Sequence, residues 1–213
     1  MNDGTIAVLD VGKSNVKLSA CTAGGHVVET LTLPNTVLPG PPWRHHDMAQ
    51  QNVFVLEGLS DLSRRQPLHH FIASGHGSGG MLVTVDPDAR TTGLALPMID
   101  YEQPLPPGID APNPPQTGGF IDPGSAGMMA TTHTARQMFW AETAEPTAFR
   151  HARWCLGIPQ YWAWRLTGRP VSEASILGAQ SHLWNVRDRS WSPIVAARGW
   201  SRLMPPMARA ADD

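Results

Sequence analysis

Ile6-Ala7-Val8-Leu9-Asp10-Val11-Gly12-Lys13-Ser14-Asn15-Val16-Lys17-Leu18-Ser19-Ala20 decides how the rest of the chain is read. An apolar run ends in an aspartate, a glycine turn follows, and a second run alternates apolar and polar residues, a period of two that predicts strands on both sides of the turn. Asp10, Gly12, Lys13, Ser14 and Asn15 then gather at one end of a sheet. Backbone N–H groups, a small hydroxyl and an ammonium suit a phosphate, and an adjacent carboxylate suits a phosphate that arrives with Mg²⁺. Only two of the sixteen Lys and Arg residues are lysines, Lys13 and Lys17, both in this stretch. A compact ammonium differs in chemistry from a planar guanidinium, so both lysines are candidates for a phosphate-facing role. Gly12-Lys13-Ser14 also resembles the end of a P-loop. That motif requires glycine where Ala7 stands and a helix starting at the lysine, whereas Val16, Leu18 and Ala20 alternate as in a strand.

Working outward, Gly24-Gly25 predicts a turn, and Val27, Val28, Leu31 and Leu33 a third strand, giving an antiparallel meander of three. Asp47 can cap a helix running through Val55, Leu59 and Leu62, closed by Pro67. Phe71-Ile72-Ala73-Ser74 predicts a short buried strand that runs into Gly75-His76-Gly77-Ser78-Gly79-Gly80. His76 is a single polar side chain raised on glycines at a strand end, where open α/β sheets bind ligands. A further strand is expected over Met81 to Val85, followed by an Asp86-Pro87-Asp88 turn. Gln103 to Gly127 is a long Pro/Gly-rich loop of the sort that often binds ligands. Beyond Thr131 the pattern becomes helical. Ala148, Phe149, Ala152 and Cys155 continue at helical steps, Ile158 to Leu166 form a helix stopped by Gly168, Ser172 caps a short helix or turn, and Ser192-Pro193 starts another that Gly199 ends. The tryptophans at 140, 154, 162, 164, 184, 191 and 200 are expected mostly as core packing.

The chain's 213 residues fit one sizeable domain or two small ones. A net charge of −2 gives no reason to expect nucleic acid. No stretch approaches the ~18–20 apolar residues of a membrane span, and the N-terminus shows no basic start and apolar core of a leader. Cys21 and Cys155, the only cysteines, stand in no metal or redox spacing, which fits a reduced, cytoplasmic compartment. His45-His46 and His69-His70 show no metal-ligand spacing and are expected as surface or capping residues.

Several stretches together resemble the FGGY family of carbohydrate kinases in the actin/hexokinase/sugar-kinase superfamily. Asp10 to Lys17 resembles that superfamily's first phosphate motif. Ser74-Gly75-His76-Gly77 resembles the family's sugar-contacting His-Gly. Trp162 to Pro170 is similar to a helix ending in "rLTG", and Ser172 to Ser175, Trp184-Asn185, Trp191-Ser192 and Met204-Pro205-Pro206 resemble later stretches in the same order. The resemblance implies an α/β, ribonuclease-H-like domain with a mixed sheet that opens with the meander and helices on the faces. It implies ATP-dependent phosphorylation of a sugar hydroxyl, a ketose or deoxy-sugar by the form of the hairpin, with ATP and Mg²⁺ as cofactors. Asp10 would face Mg²⁺ through water. Gly12, Lys13, Ser14, Asn15 and Lys17 would face phosphate. His76 and Gly77 would contact sugar, and so would Asp100 and Tyr101, which occupy a region where many members carry W-x-D-x-R.

That pattern is absent here. So is the glycine-rich G-x-x-D segment that carries the family's catalytic aspartate: Asp212 and Asp213 lack flanking glycines and do not inherit the role. The expectation is an N-terminal, sugar-binding domain over residues 1–213, incomplete at its C-terminal end and lacking the nucleotide domain, with no catalytic residue visible. Its partners would be a small-molecule sugar and a separate polypeptide carrying the C-terminal kinase domain. The alternatives are a non-catalytic sugar-binding module and a protein-interaction module using the arginine-rich helical half.

Overall fold

The computed structural model describes residues 4–86, 91–107, 109 and 124–209. The opening stretch forms β1 (Thr5–Val11) and β2 (Asn15–Cys21), paired antiparallel with Asp10 opposite Lys17. The turn between them closes with the Gly12 N–H donating to the Asn15 carbonyl at 2.9 Å. β3 (Val27–Pro34) completes the antiparallel meander. β4 (Val37–Leu38) and β5 (His45–His46) make a small ribbon that leads into α1 (Met48–Arg65). Asp47 caps α1 by accepting from the Gln50 N–H, as its position before the apolar periodicity predicts. After α1 the chain returns as β6 (Leu68–Gly75), parallel to β1, giving the sheet order β3-β2-β1-β6.

The strand alternation sorts the sheet's two faces. Ala7, Leu9, Val11, Val16, Leu18 and Ala20 are buried and pack with Val55 and Leu62 of α1. Ile158, Tyr161 and Trp162 of α4 (Ile158–Thr167) join the same core. Asp10, Lys17, Ile72 and Ser74 are exposed on the other face. The described helices therefore cover one face of the sheet, and β6 is half-exposed rather than the buried strand expected over Phe71–Ser74, since Ile72 remains 52% exposed.

The rest of the chain builds a second core beside the first. β7 (Met81–Val83) is followed by α2 (Thr134–Ala144) and α3 (Pro146–His151), with Pro146 at the helix start. The helix expected to continue through Cys155 ends at His151. Trp154–Leu156 is instead a strand, β8, antiparallel to β7, and its pairing partner lies far upstream, out of reach of a local pattern. Gly168 adopts a left-handed conformation (φ 73°) and ends α4 as expected. α5 (Ala174–Gln180) is capped by the Glu173 carboxylate, not by Ser172. β9 (Trp184–Asn185) and β10 (Ser190–Trp191) form a short ribbon, and α6 (Pro193–Ala197) precedes a final 3₁₀ turn over Trp200–Leu203. Trp140, Trp162, Trp164, Trp184 and Trp200 are buried, in line with a packing role. Most of the Gln103–Gly127 loop, part of the Asp86–Asp88 turn, and Asp212 and Asp213 lie outside the described residues.

Candidate active site

Because β1 and β6 are parallel, the residues that follow each of them emerge at the same end of the sheet. Lys13, in the turn after β1, and His76, directly after β6, therefore share a neighbourhood. The third contributor comes from the segment held beside β5. The Asp100 N–H donates to the Arg44 carbonyl at 2.9 Å, and His45 bridges Ile99. This brings Asp100-Tyr101-Glu102 over the hairpin turn.

Asp100, only 1% exposed, sits at the centre. The Lys13 ammonium donates to Asp100 Oδ1 and lies 3.2 Å from the Glu102 carboxylate. The Arg44 guanidinium donates to Asp100 Oδ2 through Nε at 3.1 Å and through a second nitrogen. A buried carboxylate is tolerated only when paired and hydrogen-bonded in this way. Burial pushes the Asp100 carboxyl upward, but the hydrogen bonds from Lys13 and Arg44 outweigh it and hold the group below its ordinary value. For Lys13, partial burial works downward and the Asp100 and Glu102 carboxylates outweigh it, so the ammonium stays charged above its usual range. Lys13 also lies over the Tyr101 ring, 4.9 Å from its centroid.

The Tyr101 ring stands 4.8 Å from His76, and His76 stands 6.0 Å from His46. Neither ring nitrogen of His76 has a hydrogen-bond partner among the described residues. Burial, followed by the charges of His46 and Lys13, lowers His76 to about 4, so it is neutral at pH 7. The glycine loop behind His76 is pinned by Gln137, whose amide donates to the Ser78 and Thr131 carbonyls and accepts from the Gly80 N–H. Gly77 packs under α5, where an added Cβ would lie 3.2 Å from that of Ala179.

Lys13, His76, Asp100 and Tyr101, read from three separate stretches, meet in one cluster. Asp10, Ser14, Asn15 and Lys17 are exposed at or beside the turn. Asp10 and Lys17 pair across β1 and β2, and Ser74 of β6 flanks Asp10 on the other side. Lys13 is engaged by carboxylates rather than left open. Among the described residues no group of three or more His, Cys, Asp or Glu is placed to hold a metal. A lone exposed carboxylate such as Asp10 still fits Mg²⁺, which keeps most of its water shell and needs only one or two carboxylates plus substrate phosphates.

Arg44, His46, Asn35 and Gln103 were not legible as site residues. His46 is buried, not the surface or capping residue expected, because its backbone N–H is drawn to the Met98 carbonyl and its ring to Asn35. Gln103 ties the cluster from behind, donating to the Arg44 and Asp100 carbonyls. Its position three residues after Asp100 is the sole local signal.

No curated protein shows significant sequence similarity to the chain. The sequence profile of the FGGY family of carbohydrate kinases, N-terminal domain, matches residues 119–212. A carbohydrate kinase from Novosphingobium aromaticivorans superposes with a TM-score of 0.86 at 31% identity, over 97% of this chain and 43% of that one. A xylulose kinase and a gluconate kinase from Lactobacillus acidophilus each superpose with a TM-score of 0.77 at 16% identity, over 96% of this chain and 42% of theirs. The chain thus spans less than half the length of the solved kinases it matches. Over residues 119–212 its sequence is similar to the N-terminal domain of the FGGY family of carbohydrate kinases, and its mixed α/β fold is similar to the corresponding part of the Novosphingobium enzyme.

Proposed function

We propose that this chain is the sugar-binding portion of an ATP-dependent kinase that transfers the γ-phosphoryl group to a hydroxyl of a ketose or deoxy-sugar in the cytoplasm. The observation that carries this reading is the meeting of Lys13, Asp100, Tyr101 and His76 at the shared end of β1 and β6. The cluster is a rigid set of hydrogen-bonding groups rather than an acid–base pair. Asp100 is held ionised by Lys13 and Arg44, and a carboxylate pulled below its usual range is a weak base at neutral pH. His76 offers a hydrogen-bond donor and an acceptor to sugar hydroxyls, and the Tyr101 ring offers an apolar face beside them.

On this reading, Mg²⁺ and ATP, when bound, supply the phosphoryl group and the neutralising charge that its transfer needs. Asp10 would hold the hydrated metal, while the Gly12 backbone, Ser14, Asn15 and Lys17 would line the phosphates' approach. Lys13 would stand between phosphate and sugar, positioned by Asp100 and Glu102. Asp100 is tied up by Lys13 and Arg44, so the base that deprotonates the acceptor hydroxyl is assigned to the part of the enzyme with which this chain pairs. The 213 residues alone should bind sugar without turning it over.

The test has two arms. Calorimetry with D-xylulose, L-fuculose and L-rhamnulose should give saturable binding to the chain. A coupled assay of ADP release with the same sugars should show no turnover. Turnover by the isolated chain would overturn the division of labour, and the absence of binding by all three sugars would overturn the sugar-site reading.

A further inference from the structure

The loop after β3 carries Asn35, which is 8% exposed and touches three elements. Its N–H donates to the Ser14 carbonyl at 2.9 Å, and its side-chain Nδ2 donates to the Gly12 carbonyl at 2.7 Å. Two of its hydrogen bonds therefore clamp the β1–β2 turn. A carbonyl can only accept, so the amide's NH₂ end must face Gly12 and its oxygen must face the other way. That oxygen accepts from Gln51 Nε2 at 2.8 Å and lies 3.1 Å from His46 Nδ1. An amide oxygen has no hydrogen to give, so His46 Nδ1 carries the proton.

The tautomer leaves a bare lone pair on His46 Nε2. That atom is buried and has no partner among the described residues, and the ring is 1% exposed. The nearest aromatic neighbour is His76, whose two nitrogens are likewise unpartnered. Leaving a buried acceptor unpaired is costly, and a ligand hydroxyl that reaches it recovers the loss. Burial, then the charge of Lys13, keeps the His46 ring neutral with a pKa lowered to about 4, so the lone pair persists at neutral pH.

We propose that His46 is a sugar-binding residue whose Nε2 accepts a hydrogen bond from a substrate hydroxyl, and that Asn35 is the positioning residue that sets its tautomer while holding the phosphate-facing turn. This rests on the sugar-site reading above and deepens it. The ligand must present a hydroxyl donor to His46, so an analogue lacking that one hydroxyl is rejected, as sites built around a buried polar group reject molecules that leave it unpaired. One amide then joins both sides of the reaction: a change in the turn reaches the sugar acceptor through Asn35.

Long-range ¹H–¹⁵N spectra of the labelled chain read the tautomer without ligand. His46 should appear as the Nδ1–H form at pH 7 and should lose that preference in Asn35→Ala. D-xylulose should then shift the His46 Nε2 resonance. In the calorimeter, one monodeoxy analogue of D-xylulose should bind the wild type about 10-fold more weakly than the parent sugar, and His46→Phe should erase that ratio. An Nε2–H tautomer in the free chain overturns the inference. So does sugar binding that leaves the His46 resonance unmoved, and that result leaves the sugar-site reading standing. The absence of any sugar binding overturns both. The wild-type spectra and the analogue series decide the matter even if His46→Phe fails to fold.

Discussion

Lys13→Met separates the chain's two lysines on physical grounds. Asp100 is 1% exposed and relies on two cations, Lys13 and Arg44. Removing Lys13 leaves the carboxylate with the Arg44 guanidinium and the Glu102 N–H and forfeits one charge-assisted hydrogen bond to a buried ion, which contributes about 1.5–3 kcal/mol. The Glu102 contact adds little, because Glu102 is 54% exposed. The expected loss at pH 7 is about 2–3 kcal/mol, or roughly 5–10 °C in Tm for a chain of this length. Lys17→Met removes an exposed ammonium and should stay within about 0.5 kcal/mol of the wild type. The pH dependence follows from the same pair. The Asp100 carboxyl is depressed in the folded state, so its contribution is present above the ordinary carboxylate value and is lost as pH falls through the folded value. The deficit of Lys13→Met should therefore be full at pH 7 and shrink on acidification towards pH 3.5. Urea midpoints followed by tryptophan fluorescence read both effects. Equal stabilities for Lys13→Met and Lys17→Met at pH 7, or a deficit that does not change with pH, would refute the reasoning.

Three further outcomes follow from the packing. His46, His76 and His133 are each lowered to about 4, burial being the first cause in every case. Unfolding lets them protonate near 6.5, so stability should fall as pH drops from 6.5 to 4, by up to about 3 kcal/mol for each ring; urea midpoints over that range check it, and a flat profile contradicts it. Gly75→Ala places a Cβ 2.6 Å from Ile158 Cγ2 and 2.9 Å from Ile158 Cβ, a clash with the branch point of a fully buried residue. It should cost about 1–3 kcal/mol in urea unfolding. Asn52 donates to Tyr161 Oη and accepts from Arg165 Nε, both at 2.8 Å, deep between α1 and α4. Asn52→Leu removes both bonds and should cost about 2–4 kcal/mol by the same measurement, with a change below 0.5 kcal/mol as the contrary result.

The meander was legible because β1 is an apolar run that ends at Asp10 before a glycine turn and β2 alternates with a period of two, and α1 because Asp47 and Pro67 bracket it. β8 was not: Trp154-Cys155-Leu156 takes its strand conformation from β7, more than 70 residues upstream, and nothing between Phe149 and Cys155 breaks the helical spacing. Glu173 displaced Ser172 as the cap of α5 because its longer side chain reaches the Ser175 and Ile176 N–H groups. In the site, residues with unusual local settings stood out, such as a lysine in a chain nearly without lysine and a histidine among glycines. Residues whose importance comes from what lies across the fold did not. Arg44 looks like any surface arginine until Asp100 is folded against it, and His46 looks like half of a histidine pair until Asn35 and Met98 draw it inward. The parallel pairing of β1 with β6 converts these scattered signals into one cluster.

Titration calorimetry of D-xylulose into the wild-type chain and into His76→Leu tests the central claim most directly. Saturable binding to the wild type that weakens at least about 10-fold in a folded His76→Leu is the predicted result. Equal affinity in the two proteins would contradict the site, as would the absence of binding heat with the wild type for D-xylulose, L-fuculose and L-rhamnulose alike.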